Sequence, residues 1–442
     1  MHNSYYLYDM RIKAIFQHHA DVIILFAFIF ESLLMVWWRE RIGIWLTPII
    51  LLLTSLGIAI LPVLQPSFWR EDHSDGLKAS RSNLFLLYLA GVLITGKMML
   101  GIIELYPIDA SRSDIIPTLQ SIYVDRFLNG NEVYTAGDCG GIACTPNYLP
   151  MQWFPFIIAE WLELDYRWIS IGVLWLALGM LFILFRRTGL CGWQGLARAS
   201  IPFLLLIFWM YKHPDGFGYT IEPLNAGYYL LFGISLFYSM PIIRSMGLAG
   251  VILSRYLVVF FIPLLVWHSI RVNRRSAYFT GLLTIGIILA LYVIPFLLPD
   301  PGAFWRGYQS YPIAAMGEWR GQSWQEVGAP PFQLFQGLGF ASWIFTLVPG
   351  SLEFKFLVSK YLHLFASAVG VAIAALLYNK YKKMVSHELL LLSGFKIYLT
   401  LFFSFLIVPY VYLHLIPSFF SLLIVMRYFQ NRRFRYPITT AK

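Results

Sequence analysis

Tyr278-Phe-Thr-Gly-Leu-Leu-Thr-Ile-Gly-Ile-Ile-Leu-Ala-Leu-Tyr-Val-Ile-Pro-Phe-Leu-Leu298 carries no charge and directly follows the basic group Arg271, Arg274 and Arg275. At 1.5 Å of rise per residue, a helix over this stretch covers a hydrocarbon core of about 30 Å, so its natural solvent is lipid. Comparable apolar runs recur at 21–38, 43–64, 83–105, 168–185, 199–211, 223–240, 358–378, 389–408 and 415–430. Together they predict an all-α polytopic membrane protein with about ten to twelve transmembrane helices in a single transmembrane domain, 1–442.

Composition agrees. Of 442 residues 58% are hydrophobic and only 13% charged, too few charges to cover a water-exposed surface of that size. The formal charge of +10 does not point to nucleic acid, because the basic residues sit in short clusters between apolar runs. The first run ends in Trp37 and Trp38 rather than in small residues, so it is expected to remain as an anchor.

Clusters at Arg186/Arg187/Arg198, Arg271/Arg274/Arg275, Lys380/Lys382/Lys383 and Arg427/Arg432/Arg433/Arg435 mark the cytoplasmic side, with both termini inside. The loops 106–166 and 299–357 then face outward. Arg39 and Arg41 disagree with this scheme, since they fall in a short outer hairpin. The run 248–270 resists a single crossing, because Arg244 and Arg271 flank it and both favour the cytoplasm. Two half-helices meeting near Arg255 satisfy both, and such breaks are tolerated at membrane depth only against protein or a watery cavity. An arginine in an apolar run costs at least about 3 kcal/mol on insertion scales, so Arg255 should face the interior and meet an anion. That anion is either a substrate phosphate or a structural partner such as Glu222. Lys396 and Glu31 are also charges within apolar runs, and Lys396 is expected to snorkel toward the cytoplasm.

The first outer loop is rich in chemistry. Its apolar residues at 115, 116, 119, 122, 123 and 127 share one face at helical spacing, which predicts an amphipathic helix along the membrane surface. Ser113 is a candidate N-cap, and Gly130 follows the last apolar position. Asp114 then sits at the positive end of that helix, which favours its ionised form. Asp109 and Asp114 read either as solvated capping acids or as a general base. A second surface helix is expected in Asn147 to Glu163, a stretch too short to span that includes Trp153. Cys139 and Cys144 flank a glycine-rich turn in an oxidising compartment, so a disulfide is expected rather than a metal site.

These residues resemble the C-type (GT-C) membrane glycosyltransferases, in particular the polyprenol-phosphate-mannose-dependent mannosyltransferases. The resemblance is carried by Asp114, Tyr123, Gly130, Tyr134 and Tyr148-Leu-Pro150, then by Glu222-Pro-Leu-Asn225, Arg244 and Ser254-Arg255-Tyr256, and by Pro409-Tyr-Val-Tyr412-Leu-His414. Glu222 stands where that family has Gln, and Arg255 where it has Lys. The resemblance implies a GT-C-like fold and an enzyme that moves a mannose-like hexose or pentose from a polyprenyl-phosphate donor to a lipid or glycan acceptor. It further implies an extracytoplasmic active site in a bacterial-type plasma membrane. Asp114 would be the catalytic base of an inverting displacement, with Asp109 as substitute. Arg255 would bind the donor phosphate, helped by Arg306 and Arg320, because a guanidinium can donate two parallel hydrogen bonds. Tyr123, Tyr148, Trp153, His213, Glu222, Asn225 and His414 are the substrate-binding candidates. Trp305, Trp319 and Trp324 in the second outer loop read as interfacial anchors or sugar-stacking rings. No cluster of metal ligands appears, and no cofactor is expected. Two other classes remain open: a polysaccharide polymerase or ligase acting on lipid-pyrophosphate glycans, and a lipid-linked sugar transporter or flippase, whose mark would be paired broken helices.

Overall fold

The computed structural model describes residues 22–64, 81–109, 115–138, 143–186, 192–321, 325–326 and 328–431. Among them, eight helices are long and apolar enough to cross a membrane: Val22–Ile42, Thr47–Leu64, Asn83–Leu105, Tyr166–Leu184, Gly195–Lys212, Arg274–Leu297, Leu352–Tyr381 and Val411–Tyr428. The chain is a multi-pass, helical membrane protein. The only strand pairing among the described residues is a two-residue antiparallel contact, Gly137–Asp138 against Ala143–Cys144.

Eight is fewer than the ten to twelve expected, and two segments account for much of the difference. The run at 223–240 forms a helix only over Glu222–Ser235, whose 14 residues rise about 21 Å, short of the hydrocarbon thickness. The run at 389–408 forms His387–Ser404, which is buried without interruption from Leu389 to Thr400 and packs against Leu352–Tyr381, Thr47–Leu64 and the C-terminal helix. It is the centre of the bundle rather than a lipid-facing span.

Local chemistry fixes the helix ends. Ser351, Ser386 and Asn273 cap Leu352–Tyr381, His387–Ser404 and Arg274–Ile288, each side-chain oxygen accepting a backbone N–H of the first turn. Pro223 and Pro241 sit in the first turns of their helices, where a missing N–H costs nothing. Close helix approach depends on small residues. A side chain at Gly227 would meet the Leu174 backbone at 3.0 Å, and one at Gly370 would meet the Tyr398 Cα at 3.0 Å.

The run 248–270 is broken where the sequence reading puts the junction. One helix, Pro241–Ile252, stops before Arg255, which is extended at φ −149° and ψ 146°. The chain resumes as a 3-10 turn, Tyr256–Phe261, and an α-helix, Ile262–Val272, that returns toward the starting end. Arg255 thus stands beyond the far end of the helix that carries Arg244, at the junction between the two helices. Two contacts hold the break: the Met151 N–H donates to the Leu253 carbonyl at 3.0 Å, and the Tyr398 hydroxyl donates to the Leu257 carbonyl.

Two intramembrane charges depart from expectation. Lys396 does not snorkel; it is fully buried and donates to Glu31 at 2.8 Å and to the Pro417 carbonyl at 3.2 Å. Arg39 is no loop charge either. It is 5% exposed, with Nη1 3.0 Å from His213 and Nη2 3.1 Å from Glu40, which leaves the exposed Arg41 as the charge at odds with the charge-based topology. A charge sequestered within protein does not vote on loop orientation.

Candidate functional site

Two loop regions and the broken helix converge at the end of the molecule opposite Arg244 and Arg271. Residues Ile115–Leu128 form one helical stretch with a wide turn over Leu119–Val124, burying Ile116, Leu119, Ile122 and Tyr123. Gly130, at φ +71°, ends it in the left-handed conformation that glycine tolerates. Short helices Pro150–Trp153 and Phe156–Trp161 follow. From the second loop, Ala303–Arg320 packs back onto the first, so closely that a side chain at Gly307 would meet the Pro146 carbonyl at 3.0 Å. Trp319 is buried and donates to the Ile407 carbonyl at 3.0 Å, which ties this helix to the 405–414 segment.

At the centre of this end Arg255 forms an ion pair with Glu222. Glu222 is 1% exposed, while Arg255 retains 27% exposure, so the pair has one sealed partner and one that is partly exposed. Asn225, one helical turn on from Glu222, donates to the same carboxylate at 3.3 Å. Arg255 Nε, Glu222 Oε2 and Asn225 Oδ1 are all buried without a partner, which leaves one donor and two acceptors unused among the described residues. The phenols of Tyr148, Tyr229, Tyr311 and Tyr412 lie within electrostatic reach of the guanidinium. Tyr410 hydrogen-bonds to Glu318, and that carboxylate in turn lies within reach of Tyr412. Burial pushes the Tyr148 hydroxyl up, so it is a neutral donor, and Tyr410 is raised for the same reason with Tyr412 and Glu318 adding to it.

The sequence-derived candidates divide into those at this cluster and those that build its walls. Arg255, Glu222, Asn225 and Tyr148 are together. Tyr123 is a buttress: its buried oxygen accepts the backbone N–H groups of Asn147 at 2.7 Å and Tyr148 at 2.9 Å. Trp153 is fully buried and donates to the Tyr134 hydroxyl at 3.2 Å; that hydroxyl donates to the Tyr148 carbonyl at 2.9 Å. These residues fix the stretch that presents Tyr148.

His213 Nε2 lies 3.0 Å from both Arg39 Nη1 and the Val36 carbonyl, with Nδ1 3.5 Å from Asp215, so it belongs to a wall network. His414 is buried, its Nδ1 donating to the Tyr410 carbonyl at 3.3 Å and its Nε2 without a partner. Arg306 is paired with Asp300 and donates to the Tyr134 carbonyl at 3.3 Å; Arg320 is exposed at the far end of the same helix. Trp305 is exposed and stacks on Tyr308 at 5.5 Å. Asp109 is exposed just beyond Asn83–Leu105. Asp114, Cys139 and Trp324 lie outside the described residues, as does the side chain of Cys144.

Two members of this end, Tyr311 and Arg167, were not singled out by sequence. Tyr311 joins the cluster together with Glu318 and with Tyr412 of the Pro409–His414 motif, and Arg167 braces it: 2% exposed, it pairs with Asp165 and donates to the carbonyls of Tyr106 and Gly218 at 2.5 and 3.2 Å. No group of three or more His, Cys, Asp or Glu among the described residues is arranged to hold a metal ion. Compared with known protein families, curated proteins and solved structures, the chain matches none.

Proposed function

We propose that this chain is a membrane glycosyltransferase of the GT-C kind, which transfers a sugar from a polyprenyl-phosphate donor to a hydroxyl of a lipid or glycan acceptor. The observation that carries the reading is Arg255: a guanidinium at an unwound junction between two apolar helices, anchored by the buried Glu222 and itself partly exposed. A cation in that setting is expensive unless it meets an anion, and Glu222 leaves most of its five N–H donors available. A lipid phosphate entering from the bilayer supplies the complementary charge. Positive-inside topology puts the loop-covered end outside the cell and the Arg244/Arg271 end in the cytoplasm.

In this reading the acceptor O–H loses its proton to the Asp114 carboxylate while its oxygen bonds to the anomeric carbon. The bond from that carbon to the phosphate oxygen breaks, with inversion, and the released phosphate takes the electron pair. Arg255 stabilises the charge as it develops, and Tyr148 and Tyr412 are neutral donors to the sugar or phosphate oxygens. Arg306 and Arg320, at either end of the helix carrying Tyr311, attract the anionic donor toward Arg255. Asp109 is the nearby acid that could replace Asp114.

The test is transfer of a radiolabelled sugar from a synthetic polyprenyl-phosphate donor by purified protein. Asp114→Asn is expected to abolish transfer at unchanged expression and melting temperature. Wild-type turnover in that variant would remove Asp114 from the chemistry, and inertness of the wild type toward every monophosphate donor would remove the activity itself.

A further inference from the structure

A cavity lies at the other end of the molecule, walled mostly by apolar side chains such as Phe232, Leu248 and Leu265, with Arg244, His268, Asn273, Thr280, His387 and Glu388 supplying its polar groups. Its volume is about 50 Å³, room for a few waters or one phosphate-sized group. Five helices contribute to it, so it is set into the bundle rather than into a loop.

The lining is built for a ligand. His268 is 4% exposed, and neither of its ring nitrogens has a partner. The Thr280 hydroxyl is likewise buried and unpartnered. Buried polar groups without partners cost free energy, and three such atoms around one cavity mean that something polar completes them. Arg244 adds charge: its Nε and Nη2 are held by the Tyr238 and Leu236 carbonyls at 2.7 and 3.4 Å, which fixes the guanidinium without neutralising it. Glu388 lies within electrostatic reach of it, on the first turn of its helix. Arg271 and Arg274 stand close to Asn273 in sequence, their guanidiniums over the Trp267 and Tyr278 rings.

We infer that this cavity binds the phosphate of a glycerophospholipid headgroup from the leaflet opposite the proposed transfer site. Arg244 and an N–H of His268 donate to the phosphate oxygens, and the Thr280 hydroxyl completes the shell. A lipid is favoured over free phosphate by what surrounds the cavity: Ile242, Met246, Leu282 and Ile285 on two of its helices are exposed apolar side chains, suited to acyl chains. Basic pockets between helix ends at the cytoplasmic surface are where such headgroups dock. The inference does not depend on the transferase reading.

Native mass spectrometry of the full-length protein in detergent tests it, with phosphatidylglycerol, diacylglycerol and sodium phosphate offered separately, and melting temperature read in parallel. Phosphatidylglycerol is expected to bind and raise the melting temperature, while diacylglycerol does neither. His268→Leu keeps the volume and removes the nitrogens, and should weaken the lipid adduct about tenfold, as loss of a charge-assisted hydrogen bond does. Arg244→Gln should weaken it further, though it also frees two carbonyls at a helix end; His268→Leu is therefore the deciding variant. Equal binding of diacylglycerol, stabilisation by sodium phosphate alone, or an unchanged adduct in His268→Leu would each overturn the assignment.

Discussion

The Lys396 ammonium and the Glu31 carboxylate, 365 residues apart in the chain, meet at 2.8 Å with neither exposed. The Ser55 hydroxyl also donates to Glu31, and one carboxylate oxygen remains without a partner. The pair joins the first described helix to the most buried one. Desolvating two charges is costly, and their mutual attraction offsets it together with the hydrogen bonds to Ser55 and the Pro417 carbonyl. Lys396→Met is therefore expected to destabilise the protein by about 3–5 kcal/mol, since it strands a buried carboxylate. The double variant Glu31→Leu/Lys396→Met should recover most of that loss. Thermal unfolding in detergent reads both, and equal melting temperatures for the single and double variants would contradict the pairing.

The Arg255–Glu222 pair should behave differently, because it serves a ligand as well as the fold. Arg255→Gln alone is expected to lose both stability and sugar transfer, the latter at least about a hundredfold if the phosphate clamp is worth about 3 kcal/mol. Adding Glu222→Gln should restore the melting temperature and leave transfer lost. Transfer that returned with stability would reduce Arg255 to a structural role.

Tyr123 offers a purely structural test. Its oxygen accepts two backbone N–H groups that present Tyr148. Tyr123→Phe leaves both donors buried and unsatisfied, at about 1–3 kcal/mol each. Hydrogen exchange at Asn147 and Tyr148 should rise well before exchange in the spanning helices; unchanged protection there would mean that the hydroxyl does not hold the segment.

Asp215 sets a pH dependence. Burial by itself would raise its carboxyl, but the hydrogen bond and charge of His213 and the N–H groups of Gly216 and Asp215 outweigh it and hold the group below the usual carboxylate range. A depressed folded-state value stabilises the protein above the unfolded value, near 3.9, and that contribution disappears as pH falls through the folded value. The melting temperature of wild type should thus fall below about pH 4 more steeply than that of Asp215→Asn. Parallel curves would show that the His213 contact contributes nothing.

Much of the architecture is legible in the residues. Runs free of charge become helices because lipid leaves the backbone no other way to satisfy its hydrogen bonds. The break at Arg255 is legible too, since Arg244 and Arg271 cannot share a side of the membrane across an unbroken span. What sequence conceals is partner choice. Arg39 and Lys396 look like a loop charge and a snorkelling one until His213 and Glu31 arrive from distant segments. Arg167 hides beside an ordinary Asp165, and its carbonyl acceptors carry no sequence mark at all. Tyr311 could not be picked from 27 tyrosines, because a phenol becomes part of a cluster through tertiary position, not spacing.

The Met151 N–H on the Leu253 carbonyl has a mechanical consequence. It rivets the Pro150–Trp153 turn to the unwound rung just before Arg255, so that segment cannot lift or settle without tugging that guanidinium. Whatever seats the loop therefore also aims the charge, and a passenger gripping both would feel them as one jaw.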